Sequence, residues 1–290
     1  LLAGARRDRD EIIEHLHALQ DRFGHLSLRH LRALADWMRM PMAEVYETAT
    51  FYAHFDVVRE DEPVPPALTV RVCDSLPCQL AGAQALRAAL DAALDPARIR
   101  VLRAPCMGRC DQAPVAQLGR RHLSRATPAA VLTALARGAL DPEPIAWQRL
   151  ADYRAAGGYT LLQRLRSGET GVAALEARLA EAGLRGLGGA GFPTARKWQA
   201  VRAGAAPRYL VVNADEGEPG TFKDRHYLET APHRVLEGAL ASALAVGAAA
   251  IYVYLRDEYP GLHAVLREAI AELEAAGLVA PGFIVLRRGA

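Results

Sequence analysis

Two scarcities narrow this chain before anything it contains is considered. Of its 35 basic residues only two, Lys197 and Lys223, are lysine, and the rest are arginine. Cysteine occurs four times, and every copy lies between positions 73 and 110. No basic block interleaved with aromatics occurs and the net charge is only +2, so no nucleic acid is expected as a partner. The nine histidines are scattered without H-E-x-x-H or other ligand spacing, which leaves surface or core roles as their expected use. The longest uncharged run, 238–255, approaches the length of a membrane span but is rich in Ala and Gly. It reads instead as the end of a helix begun after Pro232, a stop near Gly247 and a buried strand over 250–255, so no direct membrane insertion is expected. No secretory signal pattern is found, and free thiols without a signal point to the cytoplasm.

The cysteines form two pairs, Cys73-x4-Cys78 and Cys106-x3-Cys110. Disulfide pairs belong to small secreted scaffolds, whereas 290 residues with 51% hydrophobic content can bury cores without staples. Structural zinc commonly uses two short C-x2-4-C knuckles. Four thiolates in two loops suggest a metal or iron–sulfur site, with a zinc staple or disulfides as the alternatives. The flanking pattern predicts a strand over 67–73, a helix over 79–94, a strand over 99–102, a loop over 104–110, a hairpin beginning at 114–118 and a helix over 128–137. That order, β-α-β-β-α, predicts a small thioredoxin-like domain with both cysteine pairs at one end of its sheet.

The stretch Leu19-Gln-Asp-Arg-Phe-Gly-His-Leu-Ser27, with Met40-Pro41 and Val45-Tyr-Glu-Thr-Ala-Thr-Phe-Tyr52, resembles the helical lead-in of the thioredoxin-like [2Fe-2S] subunit of NADH dehydrogenases, and the x4 and x3 spacings complete the pattern. The resemblance implies that Cys73, Cys78, Cys106 and Cys110 are the four ligands of one [2Fe-2S] cluster, two per iron.

A second informative region follows. The run Gly183-Leu-Arg-Gly-Leu-Gly-Gly-Ala-Gly191-Phe-Pro-Thr-Ala-Arg-Lys-Trp198 offers backbone N–H groups unobstructed by side chains and opens into a helix, a pattern able to cradle a phosphate. Glycine clusters also make plain turns. The apolar run 209–212 predicts a buried strand that delivers the acidic loop 213–225 at its carboxyl end, the edge at which open α/β sheets bind ligands; a solvated Asx-turn is the plainer alternative. Both lysines of the chain lie in these two segments, where a compact point charge differs from a guanidinium fork.

From about Tyr153 onward the chain resembles the flavoprotein family that carries FMN and binds NADH in respiratory complex I, NAD-reducing hydrogenases and NAD-dependent formate dehydrogenases. The resemblance implies that Gly186, Gly188, Gly189, Lys197, Asn213, Asp215 and Glu216 hold FMN, and that Phe192, Lys197 and Glu218 face the dinucleotide. Two positions depart from many relatives: Leu187 replaces an arginine between the glycines, and Ala200 replaces a phenylalanine suited to adenine stacking, leaving Phe192 for that role.

The expected architecture is therefore α/β: a helical lead-in over 1–60, a thioredoxin-like [2Fe-2S] domain over 61–140, a linker over 141–147 around Asp141-Pro-Glu-Pro144, and a Rossmann-like FMN/NADH-binding domain over 148–290. The fusion resembles most the β subunit of soluble NAD-dependent formate dehydrogenases, with a hydrogenase diaphorase subunit or fused NADH-quinone oxidoreductase subunits next and a [2Fe-2S] carrier with an inactive flavin half as the alternative of another class. The expected cofactors are [2Fe-2S], FMN and NAD(H), and the expected partner is a catalytic α subunit of formate dehydrogenase or its equivalent. In the family, a Cys-Gly-Glu-Glu segment completes the flavin site and a later cysteine set binds [4Fe-4S]; neither occurs in these 290 residues, so the chain reads as a fragment.

Overall fold

A computed structural model describes residues 1–2, 4–187 and 189–290; Ala3 and Gly188 lie outside it. The N-terminal unit packs α1 (Ile12–Phe23), α2 (Leu28–Met38) and α3 (Met42–Phe51) around Leu16, Leu26, Leu31 and Val45. Two short strands, β1 (Leu26–Ser27) and β2 (Val57–Val58), pair in parallel and close the unit. Ser27 starts α2 through a reciprocal cap, its Oγ accepting from the His30 N–H at 3.2 Å while its own N–H donates to the His30 ring, which satisfies donors the helix leaves open.

The second unit is a four-stranded sheet in the order β4-β3-β5-β6. It comprises β3 (Leu68–Cys73), α4 (Leu76–Leu80), α5 (Ala83–Ala93), β4 (Ile99–Ala104), β5 (Ala116–Leu118), β6 (Arg121–Leu123) and α6 (Pro128–Ala136). Strands β3 and β4 run parallel, whereas β5 and β6 form an antiparallel hairpin on the other edge of β3. The β-branched residues of β3, Val70 and Val72, are buried with Leu86, Leu90 and Val131. One expectation is corrected. The helix predicted over 79–94 is two helices, because Gly82 takes φ +91°, a left-handed conformation that a helix interior excludes and glycine adopts without steric cost. The break gives Cys78 its own short helix, α4.

The third unit contains α7 (Leu150–Ala155), α8 (Thr160–Ser167), α9 (Val172–Glu181), α10 (Thr194–Ala203), β7 (Arg208–Ala214), α11 (Lys223–Thr230), α12 (Pro232–Val246), β8 (Ala248–Leu255), α13 (Pro260–Ala275) and β9 (Ile284–Arg288). Its three strands are all parallel, in the order β7-β8-β9. On β8 the residues Ile251, Val253 and Leu255 are buried in alternation, as a strand's two-residue period requires, in a core with Leu236, Leu262 and Leu266 from the crossover helices. Gly247, at φ +66°, ends α12 directly before β8, so the uncharged run is helix, stop and strand. Among the described residues, no helix is long and apolar enough to cross a membrane.

A buried hydrogen-bond relay ties the helices of this unit together. His233 on α12 has no exposed side-chain surface; its Nδ1 meets the Tyr159 hydroxyl at 3.0 Å and its Nε2 meets Glu272 of α13 at 2.9 Å. Burial pushes the imidazole pKa below its ordinary value, more than Glu272 raises it. An unfolded chain therefore takes up a proton that the folded chain resists, and stability contributed by this group falls as pH drops below about 6.5. We predict that His233→Gln loses about 1–3 kcal/mol of stability at neutral pH and has a shallower decline in urea midpoint than wild type between about pH 6.5 and 5. An unchanged acid limb would remove His233 as its source.

Candidate functional site

The two sulfur pairs meet at one end of the second unit's sheet. Cys73 is the last residue of β3 and donates its backbone N–H to Val115 at 3.0 Å. Cys78 sits on α4, and Cys106 and Cys110 flank the loop that follows β4. All four are free thiols; Cys73, Cys78 and Cys106 are buried and Cys110 is half-buried. The Cys106 and Cys110 sulfurs lie 3.4 Å apart, and the Gly108 N–H donates to Cys106 Sγ at 3.4 Å. Hydrogen bonds from the Cys106 and Cys78 thiols, with help from Ser75, hold Cys73 far below the usual thiol range. The same contact with Cys73, reinforced by burial, pushes Cys78 and Cys106 upward. Four convergent sulfurs with N–H donors beside them fit an iron–sulfur cluster, whose thiolates are commonly tuned by such donors.

The glycine-rich segment is a narrow turn ahead of α10. Gly186 N–H donates to the Phe192 carbonyl and Thr194 N–H to the Leu184 carbonyl, both at 3.0 Å, so the N–H of Gly186 is engaged within the turn. Gly189 takes φ +106° and Gly191 φ +59°, and among the described residues no heavy atom lies within 4 Å of where a Cβ would stand on either. The space that a side chain would fill is thus left open beside exposed backbone, as an anionic or planar ligand needs. Gly188, the third glycine expected there, lies outside the described residues. Phe192 and Lys197 are exposed, the latter in the first turn of α10.

Asn213 is exposed near the carboxyl end of β7, and its Oδ1 accepts from the Asp215 N–H at 3.0 Å. Asp215 is half-buried, and burial lifts its carboxyl above the usual range. Glu216 is turned inward. Its carboxylate accepts from the N–H groups of Asp224 at 2.8 Å and Arg225 at 3.0 Å, capping α11, and from the Tyr259 hydroxyl at 3.2 Å. Its φ of +39° lies in the left-handed region, and these three bonds hold it there. Among the side chains expected to hold FMN, Glu216 is therefore the one whose carboxylate is already occupied by its own chain. Glu218 is exposed, and its carbonyl receives Thr221 in a tight turn.

That turn touches the cysteine loop: the Gly220 N–H donates to Cys110 Sγ at 3.1 Å. Around this contact the third unit grips the cysteine loop through its backbone. Arg225 Nε donates to the Gly108 carbonyl at 2.9 Å and its Nη2 to Asp111 at 2.5 Å. Arg256 Nη2 donates to the Cys106 carbonyl at 2.5 Å and Nη1 to the Glu216 carbonyl at 2.8 Å. Gly108, at φ +64°, lies against Tyr259 so closely that any Cβ would overlap the phenol ring. The structure thus brings the acidic loop to the sulfurs. The glycine turn is placed through α10, which packs on α12, which in turn packs on β7.

Sequence reasoning missed Gly108, Gly220, Arg225, Arg256 and Tyr259. The glycine between two candidate ligands was a usable signal for Gly108. Two arginines among 33 carry no such mark.

Comparison with known proteins agrees with this division of labour. Residues 1–138 match the thioredoxin-like [2Fe-2S] ferredoxin family, and residues 179–289 match the Nuo51 FMN-binding domain family. The chain belongs to the group of complex I 51 kDa and NAD-reducing hydrogenase diaphorase subunits, with a thioredoxin-like [2Fe-2S] domain and an FMN-binding domain in one polypeptide. Among its relatives, the NAD-reducing hydrogenase HoxS subunit alpha of Cupriavidus necator is 31% identical over 96% of this chain and 51% of its own length. The mitochondrial NADH-ubiquinone oxidoreductase 51 kDa subunit of Neurospora crassa is 49% identical over 33% of this chain and 21% of its own length. A crystal structure of an NAD+-reducing [NiFe]-hydrogenase superposes with a TM-score of 0.75 at 29% identity, covering 99% of this chain and 52% of that one. The chain thus spans about half, or less, of the length of these relatives.

Two expected outcomes test the site. Gly189→Val places a branched side chain at φ +106° in the open space of the turn, and equilibrium dialysis should show loss of FMN binding; full FMN occupancy would sink the assignment. Cys106→Ser should abolish the reduced [2Fe-2S] EPR signal while FMN occupancy is retained. An unchanged spectrum would show that Cys106 is no ligand.

Proposed function

We propose that this chain is the NAD-linked diaphorase portion of a larger electron-transfer enzyme, exchanging reducing equivalents between NAD(H) and a partner subunit. The observation that carries this is the Gly220–Cys110 hydrogen bond, because it makes the loop of the candidate flavin site and the ligand loop of the candidate cluster immediate neighbours. When bound, FMN exchanges a hydride with nicotinamide and single electrons with iron–sulfur clusters, which bridges two-electron and one-electron chemistry.

The chain's own task is positioning. The turn that carries Gly186 and Gly189 holds FMN, with Gly188 expected to join them from the sequence, Lys197 supplies a point charge, and Asn213 and Asp215 offer polar atoms at the end of β7. Glu216 serves the flavin indirectly, by fixing the acidic loop against α11. Phe192 and Glu218, both exposed, face the dinucleotide. Cys73, Cys78, Cys106 and Cys110 hold the [2Fe-2S] cluster. No residue is required as a proton donor.

The finer assignment we favour is the β subunit of a soluble, cytoplasmic NAD-dependent formate dehydrogenase, supported by the resemblance of Lys223-Asp-Arg-His-Tyr-Leu-Glu-Thr-Ala-Pro-His233 and Ile251-Tyr-Val-Tyr-Leu-Arg-Asp-Glu-Tyr-Pro260 to that subunit. The likeness to a hydrogenase subunit over nearly the whole chain favours a second reading, the diaphorase subunit of an NAD-reducing hydrogenase. Co-purification of the native complex, followed by NAD+ reduction with formate or with hydrogen as donor, separates the two.

The experiment that tests the common part is an anaerobic NADH titration of the chain with FMN added, followed by visible absorbance. Bleaching of both flavin and cluster bands is expected. A coloured protein that NADH leaves unbleached would contradict a working NADH–flavin–cluster unit in these residues.

A further inference from the structure

Away from the candidate flavin and cluster residues, three ligand-type side chains from separate parts of the chain converge. His17 comes from the middle of α1, His54 from the segment after α3, and Asp257 from the turn after β8; their donor atoms all lie within 4.8 Å of one another. His17 is only 2% exposed. Its Nε2 donates to the carbonyl of Gly289 at 2.6 Å, which places the ring proton on Nε2 and leaves a bare lone pair on Nδ1. That Nδ1 is buried and has no hydrogen-bond partner among the described residues. A ring N–H held by a backbone carbonyl with the opposite nitrogen free is the arrangement of a metal-ligating histidine and its outer partner. Asp257 is 6% exposed. Arg288 takes its Oδ1, and Oδ2 lies 3.0 Å from His54 Nδ1.

We propose that His17 Nδ1, His54 Nδ1 and Asp257 Oδ2 form a binding site for a divalent cation of zinc type. Two imidazoles and a carboxylate suit zinc and leave a fourth position for water. Binding to a neutral His54 ring shifts the ring proton from Nδ1 to Nε2, so the ion replaces the hydrogen bond to Asp257 without release of a proton. Arg288 and Arg120, the latter 3.8 Å from Asp257 Oδ1, oppose a cation, and Asp21 offsets Arg288 at 2.6 Å. The ion joins α1 and the segment after α3 to the end of β8. It is a staple between the N-terminal unit and the flavin-type sheet, and it takes no part in electron transfer.

The test is titration of the chain, after cluster reconstitution, with Co(II) and then Zn(II). One equivalent of Co(II) should give the visible d–d bands of nitrogen and oxygen ligation, and zinc should displace it and raise Tm. Cobalt on unloaded cysteines would declare itself as a separate phase with sulfur-to-cobalt charge transfer, so a failure of cluster loading is distinguishable from a failure of this site. His17→Ala and Asp257→Asn should each lose the nitrogen/oxygen phase and the zinc-induced Tm shift. His54→Gln, at a partly exposed position that the fold tolerates more readily, should do the same with cluster absorbance unchanged. Absence of that phase in the wild-type chain, or its persistence in His54→Gln, would overturn the proposal.

Discussion

Two buried guanidinium groups hold the site together. Arg225 and Arg256, each about 4% exposed, reach out of the third unit to the carbonyls of Gly108 and Cys106 in the loop that carries two of the four sulfurs. A charge buried this deeply is tolerated only with its donors satisfied. Arg225 also pairs with Asp111 and Glu229, and Arg256 with Glu258. Truncating either would leave uncompensated partners, at a cost of about 3–5 kcal/mol. The planar fork of arginine can bind a backbone carbonyl and a carboxylate together, which an ammonium does less well.

The same contacts tie two loops together. Because Arg256 also holds the Glu216 carbonyl, and Glu216 caps α11, the acidic loop and the cysteine loop are parts of one hydrogen-bonded assembly. The Gly220 N–H then reaches Cys110 without a side chain between them. Donors at ligand sulfurs are among the means by which a protein sets the potential of a cluster, and on the proposed ligand set the donor to Cys110 belongs to the acidic loop.

Much of the fold was legible beforehand because its signals are local. The β-branched run of β3, the glycine that stops α12 and the alternation on β8 act through neighbours a few residues away. The broken helix at Gly82 was misjudged because an amphipathic pattern continues across it, and only the backbone conformation reveals the interruption. The inward turn of Glu216 was invisible for a different reason. An acidic loop looks solvated until a helix N-terminus and a tyrosine arrive from elsewhere in the chain.

The sequence by itself determined the chemistry on offer: four thiols in two pairs, a glycine turn with open backbone, an acidic loop at a strand's carboxyl end and two lysines beside them. Residue type and short-range spacing are sufficient for that. Tertiary structure alone decided which of these meet, since the contacts from Gly220 to Cys110, from Arg225 to Gly108 and from His17 to Gly289 span 110, 117 and 272 residues. Pairings at such separation leave no periodicity in the chain. They arise only when the three cores pack together and their buried polar groups must find partners.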